Sequence, residues 1–225
     1  MNNENNKDLS IKINDYYGEY CVGDKVVNHS DKHMSCRKPQ GFVEIYEVKD
    51  NSEERKLLGK HNLVVYLGRE WLVSRAINLN NVNINPTKDS WINWFSVGTG
   101  GTLPGDPFDP ISPANEDTNL DTIAGISTDA TNAQLISGVY YKKPFHDIQF
   151  EQDHENSDSW LLSRITTILK STDAIDEQLS EAGLYTSESD IGGYSGPFYL
   201  FSRVTFPTIY KTSNRQLIFV WYLYF

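Results

Sequence analysis

Cysteine is scarce in this chain, with two among 225 residues. That is too few for a disulfide framework, and it is the usage expected in a reducing compartment. Basic residues are outnumbered, 20 Lys and Arg against 30 Asp and Glu, for a net charge of −10. A chain of that sign lacks the cationic excess that nucleic acid or an anionic membrane surface attracts. No apolar run approaches the ~20 residues of a membrane-spanning helix. The opening Met1-Asn2-Asn3-Glu4-Asn5-Asn6-Lys7 contains no apolar signal segment, so synthesis and folding in a cytoplasm are expected. No repeat of fixed period is present.

What the chain does have is aromatic residues near its C-terminus. Ten of its 28 aromatic side chains fall in Pro197–Phe225. The run Gln216–Phe225 has strand length and no charge, with Leu217, Phe219, Trp221, Leu223 and Phe225 alternating onto one face. Ile218, Val220, Tyr222 and Tyr224 take the other face, so the spacing predicts a central strand covered on both sides. Further strands are expected at Ser10–Tyr17, Gly41–Val48, Lys60–Tyr66, Trp91–Val97, Val139–Phe150, Ser159–Lys170, Leu179–Tyr185 and Phe198–Ile209. One helix is expected at Arg69–Leu79, where Leu72, Val73, Ala76 and Ile77 form an apolar stripe. Residues 98–135 are rich in Pro and Gly and read as one long loop, a length that usually serves a partner or a function. The expected fold is mainly β: a β-sandwich or barrel-like domain of about eight or nine strands with one short helix and that loop. It spans residues 41–225, preceded by an N-terminal arm over residues 1–40.

Several stretches bear on chemistry. Cys21, His29, His33 and Cys36 are competent zinc ligands within one short segment, although their spacing matches no common finger. They stand as a candidate structural zinc site beside the alternative of solvated histidines and free thiols. Asp106, Asp109, Glu116, Asp117 and Asp121 supply oxygen ligands without a calcium-loop pattern, and a solvated, partner-facing loop is the stronger reading. Gly98-Thr99-Gly100-Gly101 lacks the following Lys-Ser/Thr of a phosphate loop and reads as a strand-ending turn. No nucleophile elbow is present. The His–carboxylate neighbours His146-Asp147 and Asp153-His154-Glu155 point to opposite faces if they lie on strands. Trp91, Trp94, Tyr140 and Tyr141 are the aromatics available for stacking on sugar rings, and at strand spacing they read first as core or interface.

The order of elements in the C-terminal part carries a resemblance. Leu179-Ser180-Glu181-Ala182-Gly183-Leu184-Tyr185 is followed by Arg203-Val204-Thr205-Phe206-Pro207, Lys211-Thr212-Ser213 and the closing Leu217–Phe225 run. Upstream stand Asn62-Leu63-Val64-Val65, Val97-Gly98-Thr99-Gly100 and Asp117-Thr118-Asn119-Leu120. Together these resemble a group of tailed-bacteriophage virion proteins, over roughly residues 60–225; the insert Asp106–Pro110 and the Asp190–Gly196 segment depart from its pattern. The resemblance implies a non-enzymatic structural role in the tail, neck or collar, or baseplate, with a virion location and no catalytic residues. The implied partners are copies of the chain and other virion proteins, with no nucleic acid, membrane, small-molecule substrate or cofactor beyond the zinc candidate. Expected contacts are the arm Asn2–Leu9 and the loop residues Leu103, Pro104, Pro107, Phe108, Pro110 and Ile111. The alternatives are a capsid decoration or fibre-anchoring protein and a carbohydrate-binding β-sandwich. Glu181 and Arg203 are expected to pair across neighbouring strands and to set their register.

Overall fold

The C-terminal aromatic run forms strand β12 (Arg215–Tyr224), hydrogen-bonded on both sides, to β3 (Gln40–Lys49) and to β9 (Leu161–Leu169). Leu217, Phe219, Trp221 and Leu223 are buried on one face, and on the other Val220 is buried and Ile218 and Tyr222 half-buried. The expectation of a central strand therefore holds, with its second face partly covered. The outer face is closed partly by Glu44, a buried carboxylate that accepts hydrogen bonds from Tyr46 Oη (2.6 Å) and Tyr222 Oη (3.1 Å) and pairs with Lys56. Burial pushes this carboxyl up, but those hydrogen bonds and the Lys56 charge outweigh it and hold it below the ordinary carboxylate value.

This computed structural model describes residues 19–22, 25–28, 40–49, 53–77, 90–152 and 161–224. The chain divides into two units, Met1–Lys38 and Pro39–Phe225. Within the first, β1 (Glu19–Val22) and β2 (Lys25–Asn28) form an antiparallel hairpin. The expected strand at Ser10–Tyr17 lies outside the described residues.

The second unit is mainly β, a ten-stranded antiparallel sheet that curls into a half-barrel with one short helix. Its remaining strands are β4 (Arg55–Val64), β5 (Trp91–Gly98), β6 (Ala133–Ile136), β7 (Val139–Pro144), β8 (Asp147–Gln152), β10 (Gln178–Ser187) and β11 (Tyr199–Tyr210); the helix α1 is Tyr66–Ile77. The strand order is β6-β7-β5-β10-β11-β4-β3-β12-β9-β8. Two layers result, β4-β3-β12-β9-β8 and β11-β10-β5-β7-β6. They join where Leu63 and Val64 at the end of β4 pair with Arg203 and Ser202 of β11. At the opposite corner the chain crosses between layers through Phe145-His146, which alone separate β7 from β8. Phe219 fastens the layers together, its ring 4.9 Å from that of Phe95 on β5 and 6.1 Å from that of Phe206 on β11.

Three expectations need correction. The sheet has ten strands, more than eight or nine, partly because Val139–Phe150 is two strands. Pro144, which has no N–H for a ladder, ends the first of them. A second cause is β6, hidden inside the stretch read as loop 98–135. It is joined to β7 by Ser137-Gly138, both with positive φ (51° and 84°), a two-residue hairpin turn. The helix begins earlier than Arg69, at Tyr66, so Gly68 lies within it. A Cβ there would fall 2.2 Å from the Phe201 carbonyl oxygen, so only glycine lets the helix approach β11 this closely. Leu79 lies outside the described residues.

Candidate functional site

The long loop, residues 99–132, lies over the outer face of the second layer and is fastened there by one buried carboxylate. Register places Glu181, Gly183 and Tyr185 of β10 on that face, beside Gly98, Ser96 and Trp94 of β5 and Thr205, Arg203 and Leu200 of β11. Glu181 is fully buried. Its Oε1 accepts from the backbone N–H of Gly100 (3.1 Å) and Thr122 (2.9 Å). Its Oε2 accepts from the N–H of Asp121 (3.1 Å) and from Arg203 Nε (3.0 Å) and Nη2 (2.6 Å). Arg203 Nη1 donates to Asp117 Oδ2 (2.7 Å), and the same oxygen accepts from the Ala114 N–H (3.0 Å). Burial works against the Arg203 charge, but Asp117 and Glu181 outweigh it and raise its pKa. A buried ion pair is tolerable only when its remaining polar atoms are satisfied, and here three backbone donors supply that.

Other fastenings extend the contact. Tyr185 Oη donates to Asn119 Oδ1 (2.5 Å) and accepts from the Leu120 N–H (3.1 Å). Ser180 Oγ accepts from the Gly101 N–H, and Thr205 Oγ1 donates to the Ile111 carbonyl. Leu120 sits directly on Gly183, where an added Cβ would fall 3.1 Å from Leu120 Cδ2 and 2.9 Å from Leu200 Cδ1. The structure thus brings together Val97–Gly100, Asp117–Leu120, Glu181–Tyr185 and Arg203, segments far apart in sequence. The Glu181–Arg203 pair was anticipated; that the loop backbone completes it was not, because main-chain donors leave no sequence signal.

Beyond this staple the loop closes into a hairpin-like tip. Thr102 bridges Pro110, the Leu103 N–H donates to the Asp109 carbonyl (3.0 Å), and Asp106 Oδ1 accepts from the Phe108 N–H (3.0 Å). Leu103 and Phe108 are 46% and 78% exposed, and Pro104 and Pro107 are also exposed. Pro110 and Ile111 are half-buried and belong to the stem. The Pro107 carbonyl accepts from the Thr208 N–H (2.7 Å), tying the tip to β11.

The other candidates separate. Cys21 lies on β1, whereas His29, His33 and Cys36 lie outside the described residues, as do Asp153, His154 and Glu155. Of the acidic loop residues, Asp117 is committed to Arg203 and Asp106 to the tip; among the described residues no three His, Cys, Asp or Glu side chains gather as a metal site. Trp91 is half-exposed, but Trp94 is fully buried with its indole N–H on Ser187 Oγ (3.0 Å) and the Ser189 carbonyl (2.8 Å), which removes it from any sugar-stacking platform. Tyr140 and Tyr141 are half-buried, and His146 and Asp147 are exposed at the corner between layers.

Sequence reasoning missed Lys142. It stands on β7 opposite Ala133, is 1% exposed, and its Nζ lies 3.8 Å from the Tyr185 ring centroid and 5.8 Å from that of Phe198. No hydrogen-bond partner for Nζ exists among the described residues. The rings that enclose it, Tyr185 and Phe198, are more than forty residues away in sequence, so nothing local marks Lys142 as interior. Burial lowers its pKa from 10.5 to about 7. Below about pH 7 the amine is charged in both folded and unfolded chains, and its burial cost is present in full. As pH rises toward 10.5 the folded amine is neutral while the unfolded one still holds its proton, so the cost shrinks and stability rises. Lys142→Met is therefore expected to stabilise the chain by about 1–4 kcal/mol at pH 6, with the advantage closing toward pH 10. Urea unfolding of both proteins across that range checks this.

No family model, no curated protein and no solved structure matches this chain.

Proposed function

We propose that the chain is a non-enzymatic structural component of a tailed-bacteriophage virion, assembling in several copies in the tail, neck or collar, or baseplate. The observation that carries this reading is the tip: Leu103 and Phe108 exposed beside prolines on a loop that a buried ion network fastens to the sheet. An apolar patch on a mobile loop loses affinity to the cost of ordering it, whereas this one is held in place before binding. The order of sequence elements resembling virion proteins supplies the kind of particle. Its work is binding, through the tip and the arm, to copies of itself and to other virion proteins.

Leu103→Ser/Phe108→Ser is expected to change stability by less than about 0.5 kcal/mol, because both side chains face solvent. The same change is expected to weaken self-association at least about tenfold, as loss of an interface anchor does. Sedimentation velocity over a concentration series reads both mass and association. In purified particles of the encoding virus, disrupted and fractionated, the chain is expected in the tail fraction. Recovery in the head fraction favours a decoration or fibre-anchoring protein, and absence from particles overturns the reading.

A further inference from the structure

We propose that the free edge of β8 is completed by a strand from a second copy of this chain, contributed by its Leu9–Asn14 segment; the inference rests on the assembly reading above. Among the described residues β9 is the only neighbour of β8. Pairing places Ile148 opposite Ile165 and Phe150 opposite Ser163, both buried on the core side of β9. Yet Ile148 is 46% and Phe150 70% exposed. The end of this apolar row is left largely exposed.

Edges of sheets are normally blunted by Pro, Lys, a bulge or shortness. The other edge is: β6 has four residues and a distorted Gln134 at φ 60°. β8 has no Pro, Lys or bulge: its six residues, Asp147-Ile148-Gln149-Phe150-Glu151-Gln152, pair in unbroken register with β9, and its two charges, Asp147 and Glu151, are both acidic. Strand addition to such an edge takes its affinity from main-chain hydrogen bonds and its selectivity from alternate side chains.

The chain itself contains a matching alternation. In Leu9-Ser10-Ile11-Lys12-Ile13-Asn14 the apolar residues fall on one face, and Ser10, Lys12 and Asn14 on the other. Laid along β8, Leu9, Ile11 and Ile13 continue the Ile148 and Phe150 row, and Lys12 falls on the face that carries Asp147. Opposite charge and matched alternation both favour the pairing. An arm-to-edge contact is heterologous, so repeated addition closes into a ring or extends as a filament.

The test uses full-length chains with Cys21→Ser and Cys36→Ser, one carrying Lys12→Cys and a differently tagged one carrying Gln149→Cys. Mild oxidation of the mixture is expected to give a disulfide-linked species containing both tags. Ile11→Asp/Ile13→Asp in the arm, or Phe150→Asp on the edge, is expected to abolish it and to weaken association at least tenfold. Chains that co-sediment without forming the mixed species overturn the strand exchange and leave the assembly reading standing. A wild-type chain that stays monomeric at every concentration overturns the assembly reading, and this inference with it.

Discussion

Glu181→Gln is expected to destabilise the chain by about 3–5 kcal/mol, the cost of leaving a buried charge without its partner. The amide is nearly isosteric, so the loss is electrostatic. Both carboxylate oxygens act only as acceptors, one for Gly100 and Thr122 and the other for Asp121 and Arg203. Whichever way the new amide turns, its NH2 group faces donors. Arg203 keeps Asp117 alone, and Asp117 is the more solvent-exposed of its two partners. Adding Arg203→Leu is not expected to restore stability, because the backbone N–H groups of the loop still lack an acceptor. Denaturant unfolding of the single and double variants measures this. A double variant as stable as wild type contradicts the role given to the loop backbone.

Phe219→Ala carries a comparable expected cost, about 3–5 kcal/mol, from lost burial and the cavity left behind. For a chain of this size that lowers the unfolding midpoint by roughly 8–15 °C. The ring sits between Phe95 and Phe206, so its loss opens the contact between the two layers and not the surface of one. On the opposite face of β12, Tyr222→Phe removes the hydrogen bond to Glu44, and about 1 kcal/mol is expected. A scanning calorimeter resolves the two. Equal effects contradict the assignment of the core side to Leu217, Phe219, Trp221 and Leu223.

The sequence was most legible where one period dominates. The alternation in Leu217–Leu223 identified a central strand and its two faces, because a buried strand must satisfy both. The succession of strand-length runs was enough for the mainly-β class. Less legible were features set by contact between distant segments. Gly98, Gly100 and Gly101 look like a turn, but an added Cβ at Gly98 or Gly101 would meet β10 or the loop backbone within 2.5 Å. Gly68 carries no signal of its own in the sequence, although it admits a helix against β11. Of the candidate site, the pairing of Glu181 with Arg203 was readable. The backbone donors around Glu181 and the burial of Lys142 were not, since each depends on contact between segments distant in sequence.

Amide hydrogen exchange at Gly100, Asp121 and Thr122 tests most directly whether Glu181 holds the loop. These amides are expected to exchange in wild type only through opening as rare as that of the β10 core, and much faster in Glu181→Gln. Exchange in the wild type at the rate of an unstructured peptide would contradict the staple, and with it the preorganised tip.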